Sequence, residues 1–187
     1  PIQNLLGSSL KFFTVNGKLT GASSLFWDGR ENNLQDLIMR PVSNHVEMGM
    51  EQLEDLPAKL GELPYYNNLF KDAYGSEDVT LDRISESIGL FIGSINSQGS
   101  RFDQFMAGKT QLTALENYGF TLFNTKYPCG SCHHVNMPGG YGGMGTGSEF
   151  MDIGLDIVSA DKGRAAITGN AADNGRFKIP NLHNIAL

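Results

Sequence analysis

Only two cysteines occur among the 187 residues, and both fall in one short stretch, Cys129 and Cys132. No thiol is left for a disulfide elsewhere, so distant segments are not expected to be cross-linked covalently. Long apolar runs are also missing. None reaches the roughly 18 residues that suggest a membrane-crossing helix, so no membrane span is expected. Positive charge is in short supply: 14 Lys and Arg stand against 20 Asp and Glu, for a net charge of -6 and a pI near 5.1. That balance argues against nucleic acid or an anionic membrane surface as a partner. Tryptophan occurs once, at Trp27, and no internal repeat or low-complexity tract is visible. The chain opens on Pro1 with neither a methionine nor a secretion signal, which leads us to expect a processed or partial product.

Apolar residues make up 40% of the chain, enough to bury the core of one large domain or two small ones. Its 23 glycines imply many turns and loops. Residues 1–26 read as loop with short ordered pieces. A helix is predicted over Glu31 to Met39, stopped by Pro41. Further helices are predicted from Pro57 to Glu62 and from Pro64 to Tyr74, the latter closed by Gly75. The clearest periodicity places Ile84, Ile88, Phe91, Ile92 and Ile95 on one helical face, with Thr80 as N-cap. Residues 98–112 read as a connection. Thr113 and Glu116 then form a T-x-x-E capping box that opens a helix through Leu122 and Phe123. Strand signals are weak throughout. These features predict a mainly α protein with long loops, in two lobes: residues 1–105 and residues 106–187.

The helix opened by Thr113 leads into Cys129-Gly130-Ser131-Cys132-His133. C-x-x-C-H is the attachment signature of a c-type haem. Two thiols three positions apart on a helical turn can each bond a haem vinyl group, and the next histidine then faces the iron. Cys129 and Cys132 are the candidate thioether links and His133 the candidate axial ligand. Two other readings use the same residues. A redox C-x-x-C belongs in a βαβ context, which the sequence does not offer. A structural zinc site needs a second ligand pair, and none is suitably spaced. The sixth iron ligand is open: Met137, Met144 and Met151 follow, and each is individually more expected to pack or lie exposed. His134 is too close to His133 to reach the opposite haem face.

Further motifs stand to either side. Phe26-Trp27-Asp28-Gly29-Arg30 is followed by Asn44-His45-Val46-Glu47-Met48-Gly49. Asp161-Lys162-Gly163-Arg164 and Arg176-Phe177-Lys178-Ile179-Pro180-Asn181-Leu182 come after the cysteines. In order and spacing this set resembles the bacterial di-haem cytochrome c peroxidases and the related methylamine-utilisation di-haem enzymes. The resemblance implies a cytochrome c-like fold with two haem-binding lobes. It assigns the Cys129 motif to the electron-transfer haem and puts the first C-x-x-C-H upstream of Pro1. It also implies that the ligands of a second haem c, and of a calcium ion between the lobes, come from flanks outside this chain.

Residue by residue, the resemblance makes Glu47 the acid–base group of the peroxide pocket. One carboxyl can take a proton from one peroxide oxygen and give it to the other. It makes Trp27 the residue between the two haems, although a lone tryptophan is expected in a core in any case. Asp28 and Arg30 are expected to form a local hydrogen-bond network. Two positions depart from the family pattern. Leu37 replaces a frequent glutamine ten residues after the tryptophan and cannot hydrogen-bond to peroxide. His183 replaces an arginine after the late proline and is mostly neutral at pH 7.

The resemblance implies hydrogen peroxide as substrate, a small electron-donor protein (a cytochrome c or cupredoxin) as partner, a periplasmic location and a homodimer. Three alternatives remain at this level. One is a mono-haem electron-transfer cytochrome without peroxidase activity. Another is a di-haem oxidase that modifies a protein tryptophan. The last is a structural protein with an unused haem site.

Overall fold

In a computed structural model, the structure describes residues 13–15, 18–95, 99–133, 150–157, 159–180 and 182. His134, Met137, Met144, the glycine-rich stretch from Gly139 to Gly147 and His183 lie outside them.

The chain begins with a small antiparallel sheet of β1 (Phe13–Val15), β2 (Lys18–Leu25) and β3 (Glu31–Asn33), in that spatial order. Residues 1–26 read from sequence as loop with short ordered pieces, without a sheet. The glycine and serines of β2, in Lys-Leu-Thr-Gly-Ala-Ser-Ser-Leu, hide any strand-like alternation, and pairing with two neighbours supplies what local propensity does not. Glu31, expected in a helix, lies instead in β3. It is buried, with Arg40 as its ion-pair partner from the helix that follows.

That helix, α1 (Leu34–Ser43), starts where Asn33 accepts a hydrogen bond from the Asp36 amide at 2.8 Å. It runs through Pro41 rather than stopping there. Proline lacks an N–H, but the helix ends within three residues, so one bond is lost and not a ladder. Leu34 and Ile38, one turn apart, are buried where α1 meets β2 and α4 (Leu81–Ser94). Each such side chain contributes roughly 2 kcal/mol through apolar burial.

Between them, α2 (Leu56–Gly61) and α3 (Pro64–Tyr74) each carry proline in the first turn, as predicted. Gly75 closes α3 at φ 74°, with its N–H on the Lys71 carbonyl at 2.8 Å. Thr80 caps α4. The buried face of α4 is Ile84, Ser85 and Gly89, so the helix is rotated from the predicted stripe. Phe91, assigned to the core face, is largely exposed. The small residues at 85 and 89 are buried on the helix that meets α1, and hydropathy alone does not register them.

The segment read as a connection holds a further helix, α5 (Arg101–Met106), with a Ser100/Asp103 capping box. Next comes α6 (Ala114–Asn124), capped by Thr113 and Glu116 as predicted. Phe102 and Phe105 of α5 meet Phe120 of α6, with ring centroids 5.8 and 5.9 Å apart. The late part of the chain adds β4 (Phe150–Met151), α7 (Ala165–Thr168) and β5 (Phe177–Lys178). β4 and β5 pair antiparallel, Phe150 with Lys178 and Met151 with Phe177. The architecture is mainly helical, as expected. Among the described residues, no helix is long and apolar enough to cross a membrane.

Candidate functional site

The cysteine motif follows directly from α6. Tyr127 donates its N–H to Leu122 O, and Pro128–Ser131 form a short 3-10 turn. The Cys129 carbonyl accepts from Cys132 N at 3.2 Å and from His133 N at 2.9 Å. Residues three and four apart on such a turn share a face. Cys129, Cys132 and His133 are therefore gathered on one side of the chain. Both cysteines are free thiols, Cys129 exposed and Cys132 half-buried. The Nδ1 atom of His133 is buried and, among the described residues, has no hydrogen-bond partner. Gly130 fits beside Asn124, whose Oδ1 lies 3.0 Å from where a Cβ would stand.

The second candidate region follows α1. Asn44 organises it through both ends of its side chain: Oδ1 accepts from Val46 N at 3.1 Å, and Nδ2 donates to Glu47 Oε1 at 2.7 Å. Its main-chain carbonyl accepts from Glu47 N and Gly49 N, each at 2.9 Å. Met48 N and Met50 N return to the Pro41 and Val42 carbonyls, tying the loop to the end of α1. Gly49 takes φ 65° to make this turn. Glu47 is exposed, and its carboxylate is held from one side while Oε2 takes no hydrogen bond among the described residues. Val46 and Met48 beside it are also largely exposed. Leu37 lies on α1, half-buried. Sequence reading singled out Glu47 and gave Asn44 no role of its own. The signal was available, since asparagine three residues before the carboxylate is a turn-forming spacing.

The third region is Phe26–Arg30. Phe26 has φ 64°, the only non-glycine residue with positive φ among those described. The Arg30 guanidinium stacks on its ring at 3.9 Å and bonds Asp28 at 2.8 Å, as the local network predicted. Trp27 is 63% exposed, so the core placement expected of a lone tryptophan is overturned. The turn's main chain is held from far along the sequence. Arg164 Nη1 donates to the Asp28 carbonyl at 3.1 Å and the Gly29 carbonyl at 3.0 Å. Lys178 N donates to Trp27 O at 2.8 Å, and Lys178 Nζ to Ser24 O at 2.9 Å. Burial pushes the Lys178 ammonium below the usual lysine range. Thus the first motif and the two late ones meet in space. The side chains of Cys129, Cys132 and His133, by contrast, share no hydrogen bond with Trp27 or Glu47.

Residues 9–111, more than half of the chain, match the family model described as di-haem cytochrome c peroxidase. The chain belongs to that family. The match ends before Cys129, so the C-x-x-C-H turn is an observation independent of it. Over 167 residues the chain is 34% identical to cytochrome c551 peroxidase of Nitrosomonas europaea, covering 87% of this chain and 47% of that protein. It is 31% identical over 197 residues to the methylamine utilization protein MauG of Paracoccus denitrificans, covering 92% and 50%. The cytochrome c peroxidase Ccp of Escherichia coli is 32% identical over 165 residues, covering 87% and 35%. The chain spans about half the length, or less, of these curated relatives. Two solved structures share the fold. One is a MauG-like protein associated with microbial copper homeostasis (TM-score 0.70, 24% identity, 97% of this chain and 60% of that one). The other is the di-haem peroxidase BthA of Burkholderia thailandensis (TM-score 0.68, 18% identity, 98% and 56%).

Haem c is the cofactor of this family, and the residues fit it. Two free thiols and a histidine lie on one turn. The shielded Nδ1 of His133 leaves Nε2 as the ring atom for iron. Among the described residues no group of three or more His, Cys, Asp or Glu could hold a metal ion instead.

Proposed function

We propose that this chain is the central part of a di-haem cytochrome c peroxidase that reduces hydrogen peroxide to water. The observation that carries the reading is the Asn44–Gly49 loop, which presents one exposed carboxylate steadied on one oxygen and open on the other. Residues 1–105 form part of the peroxide-reducing lobe and residues 106–187 most of the electron-transfer lobe. Cys129, Cys132 and His133 hold haem c, whose iron supplies one-electron redox chemistry. A second haem c and a calcium ion belong to the remainder of the intact enzyme.

Peroxide reduction consumes two electrons and two protons and yields two waters. Glu47 takes the proton from one peroxide oxygen and delivers it to the other as the O–O bond breaks. Asn44 keeps the carboxylate aimed, and Trp27 serves as the electron relay between the lobes. Electrons come from a small donor protein, a cytochrome c or a cupredoxin. Haem attachment of this kind takes place outside the bacterial cytoplasm, which makes the periplasm the expected location, and the enzyme is expected to act as a homodimer.

The test begins with haem quantification on the protein purified from its native host. Two c-type haems per chain and peroxide turnover with a reduced donor protein are expected. Glu47→Gln should keep both haems and lose turnover by on the order of 100-fold or more, the usual scale of a general acid–base group. One haem per chain would leave an electron-carrier cytochrome instead. The 31% identity to MauG favours one other reading, a di-haem oxidase acting on a protein tryptophan. Two haems without peroxidase turnover would point to it.

A further inference from the structure

Trp27 stands on a turn that Arg30 braces from within, by its stack on Phe26 and its bonds to Asp28, but that leaves the carbonyls after the tryptophan to partners elsewhere. Its indole is largely exposed, and the preceding residue, Phe26, occupies the left-handed region that side chains rarely adopt. The partners of those carbonyls arrive from the other end of the chain. Arg164, half-buried, directs Nη1 at two successive carbonyls, Asp28 O and Gly29 O, immediately after the tryptophan. Its guanidinium carbon lies 4.5 Å from the centre of the Phe150 ring, a cation–π contact. Arg164 is itself anchored through Arg164 N on the Arg176 carbonyl at 2.8 Å. Gly163 makes that approach possible: at φ 53°, a Cβ there would stand 2.4 Å from the same carbonyl. On the other side, Lys178 N holds the Trp27 carbonyl itself. Gly29 completes the fit, because a Cβ would lie 2.6 Å from Arg164 Nη1.

We propose that Arg164 is a positioning residue for Trp27, acting through the Asp28 and Gly29 carbonyls to hold the indole in one orientation. Its kinetic consequence rests on the reading of Trp27 as the electron relay; the positioning itself does not. An indole that wanders between orientations couples poorly to its electron partners. Loosening the turn therefore slows turnover without changing how peroxide binds. Lys178 holds the Trp27 carbonyl by its backbone, which substitution leaves in place, its ammonium reaches only the earlier Ser24 carbonyl, and Arg30 braces the turn from within; Arg164 is the side chain bonded to the two carbonyls that follow the tryptophan.

The test uses the haem-loaded enzyme labelled with 5-fluorotryptophan, the Trp27 fluorine resonance being identified by its loss in Trp27→Phe. In Arg164→Gln that resonance is expected to shift or split. The kcat for peroxide should fall by on the order of 10-fold, the scale expected of a misplaced group, with KM, haem content and the Soret band unchanged. Arg164→Lys keeps a donor but loses the guanidinium over Phe150, and should give a smaller change in the same direction. A role limited to holding the fold would lower the melting temperature while leaving the folded-state resonance in place. An unmoved resonance in Arg164→Gln overturns the proposal. Should that variant fail to fold, a wild-type resonance with wild-type kcat in Arg164→Lys does so. If Trp27→Phe keeps full turnover, the relay reading fails on its own, and the fluorine signal still decides whether Arg164 orients the ring.

Discussion

Gly29 shows how much one position can carry. It takes φ 71°, and a Cβ added there would stand 2.4 Å from the Phe150 ring, 2.6 Å from Arg164 Nη1 and 2.8 Å from Ser24 Cβ. Two of these neighbours are 121 and 135 residues further along the chain, and Arg164 Nη1 cannot withdraw without giving up its bonds to the Asp28 and Gly29 carbonyls. Gly29→Ala combines the left-handed penalty of a substituted residue, about 1–2 kcal/mol, with overpacking of about 1–3 kcal/mol. We expect a loss of about 2–5 kcal/mol, read from the urea midpoint at constant slope. Glycines with open space around them, such as Gly108, lack the second term. The sequence places Gly29 inside a recognisable motif but says nothing of the ring and guanidinium that require it. The same holds for Trp27. Its residue type predicts burial, and only the positions of Ser24, Arg164 and Lys178 explain why its backbone, and not its indole, is the part enclosed.

Most element ends decided by neighbouring residues were legible, α5 with its Ser100/Asp103 box being the exception, and those decided by distant partners were not. The caps at Thr80, Gly75 and Thr113 act over three or four residues, and each stands where its sequence pattern puts it. The strands before residue 26 and the rotation of α4 depend on contacts with β3 and α1, and local propensity misses both. Helix α6 illustrates the legible kind and bears on the site, because it delivers the chain to Cys129. Thr113 Oγ1 accepts from Glu116 N at 3.3 Å, and Glu116 Oε2 accepts from Thr113 N at 2.7 Å. Thr113→Ala removes one half of this box and should cost about 1 kcal/mol. The Thr113 N–H and then its hydroxyl, with Arg101 nearby, hold the Glu116 carboxyl below the usual range. A carboxyl held low in the folded state stabilises above its ordinary value of 4.5, and that contribution is lost as pH falls through the lowered one. Wild-type protein should therefore lose melting temperature on acidification more steeply than Glu116→Gln between pH 5 and the acid limit of folding. Parallel curves would remove Glu116 from the account.

At the scale of the whole molecule, the motif residues from either end of the chain converge on one turn, and a half-buried lysine joins them. Lys178 sits on β5, opposite Phe150 on β4, and its ammonium reaches the Ser24 carbonyl 154 residues earlier. Burial pushes its ionisation below the ordinary 10.5. An unfolded chain recovers the ordinary value. Between the lowered value and 10.5 the unfolded state therefore binds more protons than the folded one, and stability contributed by this residue rises with pH through that window. Below the lowered value the lysine is charged in both states, and the full cost of burying the cation is present at every pH. Lys178→Met keeps the length and apolar stem, removes the charge and gives up the bond to Ser24. The stability of wild type relative to Lys178→Met, compared by urea unfolding at pH 8 and pH 10, should grow at the higher pH. Because both proteins share every other titrating group, the difference isolates residue 178. A difference independent of pH would mean that water reaches the ammonium and that the join between β5 and the Trp27 turn is looser than its hydrogen bonds indicate. A growing difference would establish that this long-range join is dry, the condition under which the Ser24 and Trp27 carbonyls are held most firmly.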